Sequence, residues 1–137
     1  MVLKVNPELI ILARFDTAFH SRTNEELVRT LPIPVMSVNL STLSDYPDAI
    51  SYLGQLLGRE DRSRKLAASA KKTISDMESF RAGIGQGQTV SVYYAQGVDG
   101  LRTECDSSMH AQLIPLAGGR NVHSCVARSS YGMEKIS

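Results

Sequence analysis

The sequence has 137 residues, of which 42% are hydrophobic and 21% charged, and its formal net charge is +1 at pH 7. A chain of this size and composition is typical of one globular domain or part of one, and its near-neutral charge gives no reason to expect a nucleic-acid partner. No apolar run approaches the roughly 18 residues of a membrane-spanning helix, and the N-terminus lacks a secretory-leader pattern, as would a cytosolic protein or a chain without its leader.

The first predicted elements form a βαβ unit. Residues 6–13 (NPELIILA) and 33–39 (IPVMSVN) are rich in apolar residues and predict two short strands buried on both faces. Between them, residues 23–31 (TNEELVRTL) predict a helix, because Thr23 and Glu26 have the spacing of a capping box. A strand, a helix and a strand in this order favour a parallel sheet with a right-handed crossover.

A long helical region follows, from about residue 45 to 82. Gly58 is a natural C-terminal cap for its first segment. The second segment carries apolar residues at helical spacing: Leu66, Ala70, Ile74, Met77 and Phe80. A helix of this length suits a strut that joins two lobes. The glycine-rich residues 83–89 come after a helix and before a strand, so they predict a connector and not a phosphate-binding loop.

The remaining third of the chain predicts two strands around a helix. Residues 89–95 predict a strand, and Asp99-Gly100 predicts a turn with Gly100 at positive φ. Residues 107–119 predict a helix with a serine cap, kinked or shortened by Pro115. A short strand is expected within residues 120–127, whereas the tail from residue 129 carries no folding signal.

The sequence offers no catalytic chemistry. It lacks a nucleophile elbow, a zinc-protease helix motif, a paired-carboxylate motif and a phosphate-binding loop, so we expect no enzyme activity and assign no catalytic residue. Cys105, His110, His123 and Cys125 are zinc-type ligands, but their spacing matches no common zinc site, and we assign neither a metal ligand nor a cofactor. A disulfide between the two cysteines is the alternative in an oxidising compartment.

Several blocks of the chain resemble one protein family. These are NPELIIL, LPIPVMSVN and DYPDAISYLGQLLGRED in the first half, followed by VYYAQGVDGLRT and SSMHAQLIPLAGGRNV in the second. In this order they resemble the periplasmic substrate-binding proteins of ABC importers, in the branch for ferric siderophores, haem, cobalamin and related metal chelates or oxyanions. The second pair of blocks is the more specific, and the likeness spans nearly the whole chain.

The resemblance implies an α/β fold in which parallel-sheet βαβ units of two partial lobes are joined by a long interlobe helix. Residues 1–44 would be part of the N-terminal lobe, residues 45–82 the connecting helix, and residues 83–137 the start of the C-terminal lobe. Family members are about twice as long, so we expect an internal fragment. The implied function is extracytoplasmic binding of a metal chelate between two lobes, in the periplasm or anchored to the membrane, with ABC permease subunits as partners.

Open α/β sheets bind ligands beyond the carboxyl ends of their strands, which here are residues 14–16, 39–41 and 96–97. Under the resemblance, the ligand would lie between the two lobes near these ends, and six residues are expected to contact it. They are Arg14 and Phe15 in the first lobe, and Tyr94, Gln96, Arg102 and His110 in the second. Gln96 stands where the family commonly has arginine, and Glu104 and Asp106 make the region more negative. The loop that begins at Gln96 is therefore expected to recognise its ligand by hydrogen bonds more than by charge, which disfavours oxyanions as ligands.

A second hypothesis comes from a different class of function. The chain would then be a stand-alone, non-enzymatic α/β interaction domain that associates with itself through exposed sheet edges. Homo-oligomer formation through such edges is expected for a partial sheet under either hypothesis.

Overall fold

The computed structural model describes residues 2–14, 30–85, 87–125 and 133–136. The strands are β1 (Ile10–Arg14), β2 (Val35–Asn39), β3 (Val90–Val92), β4 (Arg102–Glu104), β5 (Gly119–Asn121) and β6 (Met133–Lys135). The helices are α1 (Tyr46–Leu56), α2 (Glu60–Ala82) and α3 (Leu113–Leu116), with short 3-10 turns at Val2–Val5 and Leu43–Asp45. Most of the predicted helix at 23–31 lies outside the described residues.

The first two strands pair in parallel, as predicted. Their register runs from Ile10 opposite Val35 to Arg14 opposite Asn39. The expectation that both strands are buried on both faces is wrong: Ile11 is 43% exposed, and Val38 is the buried hydrophobic side chain of the pair. The physical reason is that, among the described residues, this sheet has only two strands, so it cannot cover its own faces.

The helical region between residues 45 and 82 consists of two helices that pack against each other. The first ends in a Schellman motif: the Arg59 N–H donates to the Gly54 carbonyl over 2.7 Å, and the Gly58 N–H donates to the Gln55 carbonyl over 3.3 Å. Gly58 has φ +60°, which confirms the predicted cap. Gly54 lies directly against Ser63, because a Cβ built at position 54 would be 1.8 Å from the Ser63 Oγ.

A second parallel pair and a short helix follow. β3 pairs with β5, with Val90 opposite Gly119. The helix predicted at 107–119 is much shorter: residues 106–112 form turns, and only Leu113–Leu116 are helical. Pro115 falls in the first turn of this helix, where its missing N–H removes no intrahelical bond. The predicted strand in 120–127 exists in part, as β5.

The tail contains a strand that the sequence did not predict. β6 pairs antiparallel with β4, with Thr103 opposite Glu134, and the Ile136 N–H donates to the Leu101 carbonyl over 2.9 Å. The expectation of a tail without folding signals is therefore wrong for residues 133–136. The predicted α/β class with parallel strand pairs is confirmed.

Candidate functional site

The loop before β4 is folded by its own hydrogen bonds. Gln96 and Arg102 form an antiparallel bridge with N–O distances of 2.7 and 3.2 Å, and Gly97 and Gly100 turn the chain at φ +79° and +68°. The positive φ predicted for Gly100 is confirmed. The Tyr93 hydroxyl donates to the Gly100 carbonyl over 2.9 Å, which ties the tip of the loop to the residue that follows β3. This arrangement gives the side chains of the loop a fixed place.

Glu104 lies at the centre of a polar cluster. Its side chain is only 2% exposed, and its Oε1 accepts hydrogen bonds from Gln96 Nε2 at 2.6 Å and from His110 Nδ1 at 3.0 Å. Because an ionised carboxylate only accepts, the proton of the imidazole is assigned to Nδ1. The Glu104–Gln96–His110 cluster (hereafter the Glu104 cluster) therefore holds a buried carboxylate with two donors.

Successive side chains of the β4 segment point to opposite sides of the strand. Glu104 points towards Gln96 and His110, whereas Cys105 lies on the other side and forms a disulfide with Cys125. Of the two alternatives left open for the cysteines, the structure has the disulfide. Glu134 extends from β6 opposite Thr103 and lies near the disulfide. One short segment thus contributes to two separate side-chain clusters.

The turn that carries His110 contacts the segment that follows β2. Gln112 accepts from the Leu43 N–H at 3.2 Å and donates to the Ser41 carbonyl at 3.3 Å. The Tyr46 hydroxyl donates to the Met109 sulfur at 3.7 Å. The carboxyl end of the β1–β2 pair therefore lies next to the turn of His110, as expected for a site built by loops of both regions.

The structure brings some of the six predicted residues together. Gln96 and His110 meet at Glu104, and Arg102 is joined to Gln96 through the backbone, with its stem passing close to Gly97. The remaining three are placed less closely: Arg14 is exposed at the end of β1, Tyr94 is 36% exposed after β3, and Phe15 lies outside the described residues.

Glu104 is the residue of the site that sequence reasoning missed. It was interpreted only as a source of negative charge, because glutamate is almost never fully buried unless it is paired. The available signal was its position in the sequence: Glu104 lies eight residues after Gln96 and six residues before His110. That signal is weak, because the two spacings reveal a cluster only once the turns between them are known.

A groove of about 880 Å³ lies elsewhere, between the end of α2, β3 and α3. Its lining is largely apolar and includes Phe80, Ile84, Val90, Leu113 and Ile114. None of the predicted ligand-binding residues that the structure describes lines it. The groove offers apolar surface without titratable groups, so the Glu104 cluster is the better candidate for ligand recognition.

Comparisons with solved structures relate the whole chain to one class of protein. An ABC transporter solute-binding protein from Sulfurospirillum deleyianum is 34% identical, with a TM-score of 0.88 over 99% of this chain. The periplasmic vitamin B12-binding protein of Vibrio cholerae is 19% identical with a TM-score of 0.74, and the periplasmic haem-binding protein of a Roseiflexus species is 21% identical with a TM-score of 0.70. These two also match 99% of this chain, and at these identities they show the fold alone.

The structural neighbours are thus periplasmic solute-binding proteins of ABC transporters, and the resemblance predicted from the sequence is confirmed. The chain spans 42% of the length of the Sulfurospirillum protein and 50% of each of the other two. Neither the scan against protein-family models nor the search of curated proteins found a match. Among the described helices, none combines the length and the apolar character needed to cross a bilayer.

Proposed function

We propose that this chain is part of the solute-binding component of an ABC importer, and that the complete protein carries a metal chelate between two lobes without changing it chemically. The likeness to solute-binding proteins over 99% of the chain supports this proposal. The further step, from the class of protein to the class of ligand, rests on the Glu104 cluster.

The orientation of His110 is the observation that indicates which class of ligand the site binds. Its Nδ1 is engaged by Glu104 at 3.0 and 3.1 Å from the two carboxylate oxygens, while 56% of the side chain is exposed. A histidine whose one nitrogen donates to a carboxylate offers the lone pair of the other nitrogen, and this pairing is typical of metal-ligating histidines. His110 Nε2 would therefore be an axial ligand to a chelated metal, with Glu104 as a positioning residue.

An axial histidine selects among metal chelates. A metal tetrapyrrole such as haem or cobalamin holds its metal in a plane and leaves axial positions for protein ligands. A ferric siderophore that fills all six positions of its iron leaves none for a histidine. We therefore place metal tetrapyrroles ahead of siderophores as the ligand class of this site.

Gln96 adds a hydrogen-bond acceptor to the same site. Its Nε2 is used by Glu104, and its Oε1 is buried without a partner among the described residues. A buried acceptor without a donor costs about 1–3 kcal/mol, which a ligand N–H or O–H would recover. Arg14 and Arg102 are exposed cations that would meet carboxylate substituents.

The remaining expectations belong to the same proposal. Residues 1–44 and 83–137 would belong to two lobes, and the helices within 45–82 would connect them. The complete protein would work outside the cytoplasm, in the periplasm or anchored to the membrane, and would deliver its ligand to ABC permease subunits. Homo-oligomer formation through exposed sheet edges stays a prediction, which the molecular mass in solution would test.

The test is a ligand panel against the full-length product of the reading frame that contains this sequence. Haem and cobalamin are titrated and followed by their own visible absorption, and an iron-labelled ferric siderophore is followed by equilibrium dialysis. We expect saturable 1:1 binding of haem or cobalamin that is at least tenfold tighter than that of the siderophore. Binding of the siderophore alone would overturn the ligand class, and a self-associating protein that binds none of the three would favour the interaction-domain hypothesis.

A further inference from the structure

A second group of metal-ligating side chains lies on the other side of β4. Cys105, Cys125, His123 and Glu134 each offer one ligand atom, and these four atoms lie within 4.8 Å of one another. His110, which the sequence pattern placed with the two cysteines, is absent from this group because it is hydrogen-bonded to Glu104. Glu134 takes its place through the unpredicted pairing of β6 with β4.

Two polar atoms near this group lack partners among the described residues. The His123 Nε2 is buried without a hydrogen bond and lies 3.6 Å from Glu134 Oε2, beyond hydrogen-bonding distance. The Thr103 Oγ1, on the residue opposite Glu134, is also buried without a partner. Buried imidazole nitrogens are normally paired, so an unused nitrogen beside a carboxylate and two sulfur atoms needs an explanation.

We propose that Cys105, Cys125, His123 and Glu134 form a zinc site when the disulfide is reduced. A dithiol supplies two electrons and two protons, is itself oxidised to a disulfide, and leaves Cys105 and Cys125 as thiols. Zn²⁺ then displaces the two thiol protons and binds the two thiolates, the imidazole nitrogen of His123 and one carboxylate oxygen of Glu134. Zinc therefore cannot bind while the two cysteines form the disulfide, and it can bind once the disulfide is reduced.

The donor set fits zinc better than the other common divalent ions. Two thiolates, one imidazole and one carboxylate complete a four-coordinate tetrahedral shell, whereas Mg²⁺ and Ca²⁺ prefer six or more oxygen ligands. The cluster lies close to the surface: the side chains of His123 and Glu134 are 26% and 27% exposed, whereas the Nε2 atom of His123 and the Cys105 side chain are buried. The backbone N–H of His123 donates a hydrogen bond to Asn121 Oδ1 over 3.3 Å, which helps hold the backbone of the histidine in place.

The consequence is a cross-link that survives a change of redox state. In the oxidised chain the disulfide joins the end of β4 to residue 125, and in the reduced chain zinc would join the same two positions and add β6 through Glu134. The zinc site uses none of the residues of the Glu104 cluster, so its success or failure is independent of the proposed ligand.

The test uses the 137-residue chain and Co²⁺ as a spectroscopic probe for zinc. The chain is treated with a dithiol, freed of the dithiol under anaerobic conditions, and titrated with Co²⁺ beside the oxidised chain. With Co²⁺ added, we expect the reduced chain to show thiolate-to-cobalt charge transfer and the intense visible bands of tetrahedral cobalt. The oxidised chain should show neither. The signal should saturate at one ion per chain and disappear when Zn²⁺ is added.

Variants assign the remaining two ligands. His123→Ala and Glu134→Gln should each weaken Co²⁺ binding by the reduced chain at least tenfold, and replacement of both cysteines by serine should abolish the charge-transfer band. Asp106→Asn is the matched control, because Asp106 is an exposed carboxylate next to Cys105 and outside the cluster. It should bind like the unchanged chain.

Two results would overturn the proposal. One is a reduced chain that shows no thiolate–cobalt band. The other is a band whose strength and midpoint are the same in His123→Ala and Glu134→Gln as in the unchanged chain, since thiols of an unfolded chain would bind cobalt without those two residues. Circular dichroism of each sample shows whether the reduced chain keeps its helices, and the decision rests on the two variants in either case.

Discussion

The two halves of the described chain are held together by different kinds of interaction. Around β1, β2 and the two long helices, the buried positions are small or apolar side chains such as Val38, Ala49 and Ala67. Around β4, the most deeply buried residues are Thr103, Glu104 and Cys105, at 0–2% exposure. The first half is a scaffold of general apolar contacts, whereas the second depends on a few specific bonds and contains both side-chain clusters described above.

The largest effect should come from removing the covalent bond of the second half. In the double variant Cys105→Ser with Cys125→Ser, loss of a cross-link between residues 20 positions apart should lower the free energy of unfolding by about 3 kcal/mol. Urea unfolding followed by circular dichroism measures this loss. A loss below about 1 kcal/mol would show that the second half is held mainly by non-covalent contacts, and the contrast between the halves would weaken.

The next effect should come from the buried carboxylate. Glu104→Ala leaves Gln96 and His110 without their shared acceptor and should lower the free energy of unfolding by about 2–3 kcal/mol. Glu104→Gln is the matched control, because it keeps the shape and one acceptor oxygen, and its loss should be clearly smaller. Equal losses in the two variants would mean that neither the volume of the side chain nor the acceptor oxygen kept by glutamine contributes, and would contradict the hydrogen bonds as the source of the stability.

A smaller effect is expected where the first half is packed most closely. Gly54→Ala would place a Cβ 1.8 Å from the Ser63 Oγ, so the two helices must separate, at a cost of about 2 kcal/mol. Gly58→Ala tests backbone strain without crowding, since Gly58 has φ +60° and a Cβ there would meet no atom within 4 Å; it should cost about 1 kcal/mol. Thermal unfolding measures the stability of both variants. A larger loss of stability in Gly58→Ala than in Gly54→Ala would contradict the close packing of α1 against α2 as the main constraint on this region.

The scaffold was more predictable from the sequence than the site. The apolar runs that became β1 and β2 and the Gly58 cap are local signals, and each is confirmed in kind. β6 was missed because three residues give little periodicity, and its pairing with β4 depends on a partner about 30 positions away. The shortened helix near Pro115 shows that a proline signals a disruption without fixing where the helix begins.

The site could be predicted only in part, for a similar reason. Loops at the carboxyl ends of strands were expected to gather polar groups, and Gln96 and His110 do meet there. The residue that joins them, Glu104, was interpreted only as a source of negative charge, because a sequence does not show which carboxylates acquire buried donors. The group of Cys105, Cys125, His123 and Glu134 could also be predicted only in part. Glu134 reaches it through the pairing of β6 with β4, which the sequence did not predict.

The most direct test of the central claim is the visible absorption spectrum of the full-length protein with bound haem or cobalamin, compared between the unchanged protein and His110→Ala. If His110 Nε2 is an axial ligand, the substitution should shift the absorption bands of the bound tetrapyrrole and weaken its binding at least tenfold, while Asp106→Asn leaves both unchanged. Identical spectra and affinities in the unchanged protein and His110→Ala would contradict the assignment of the Glu104 cluster as the ligand site.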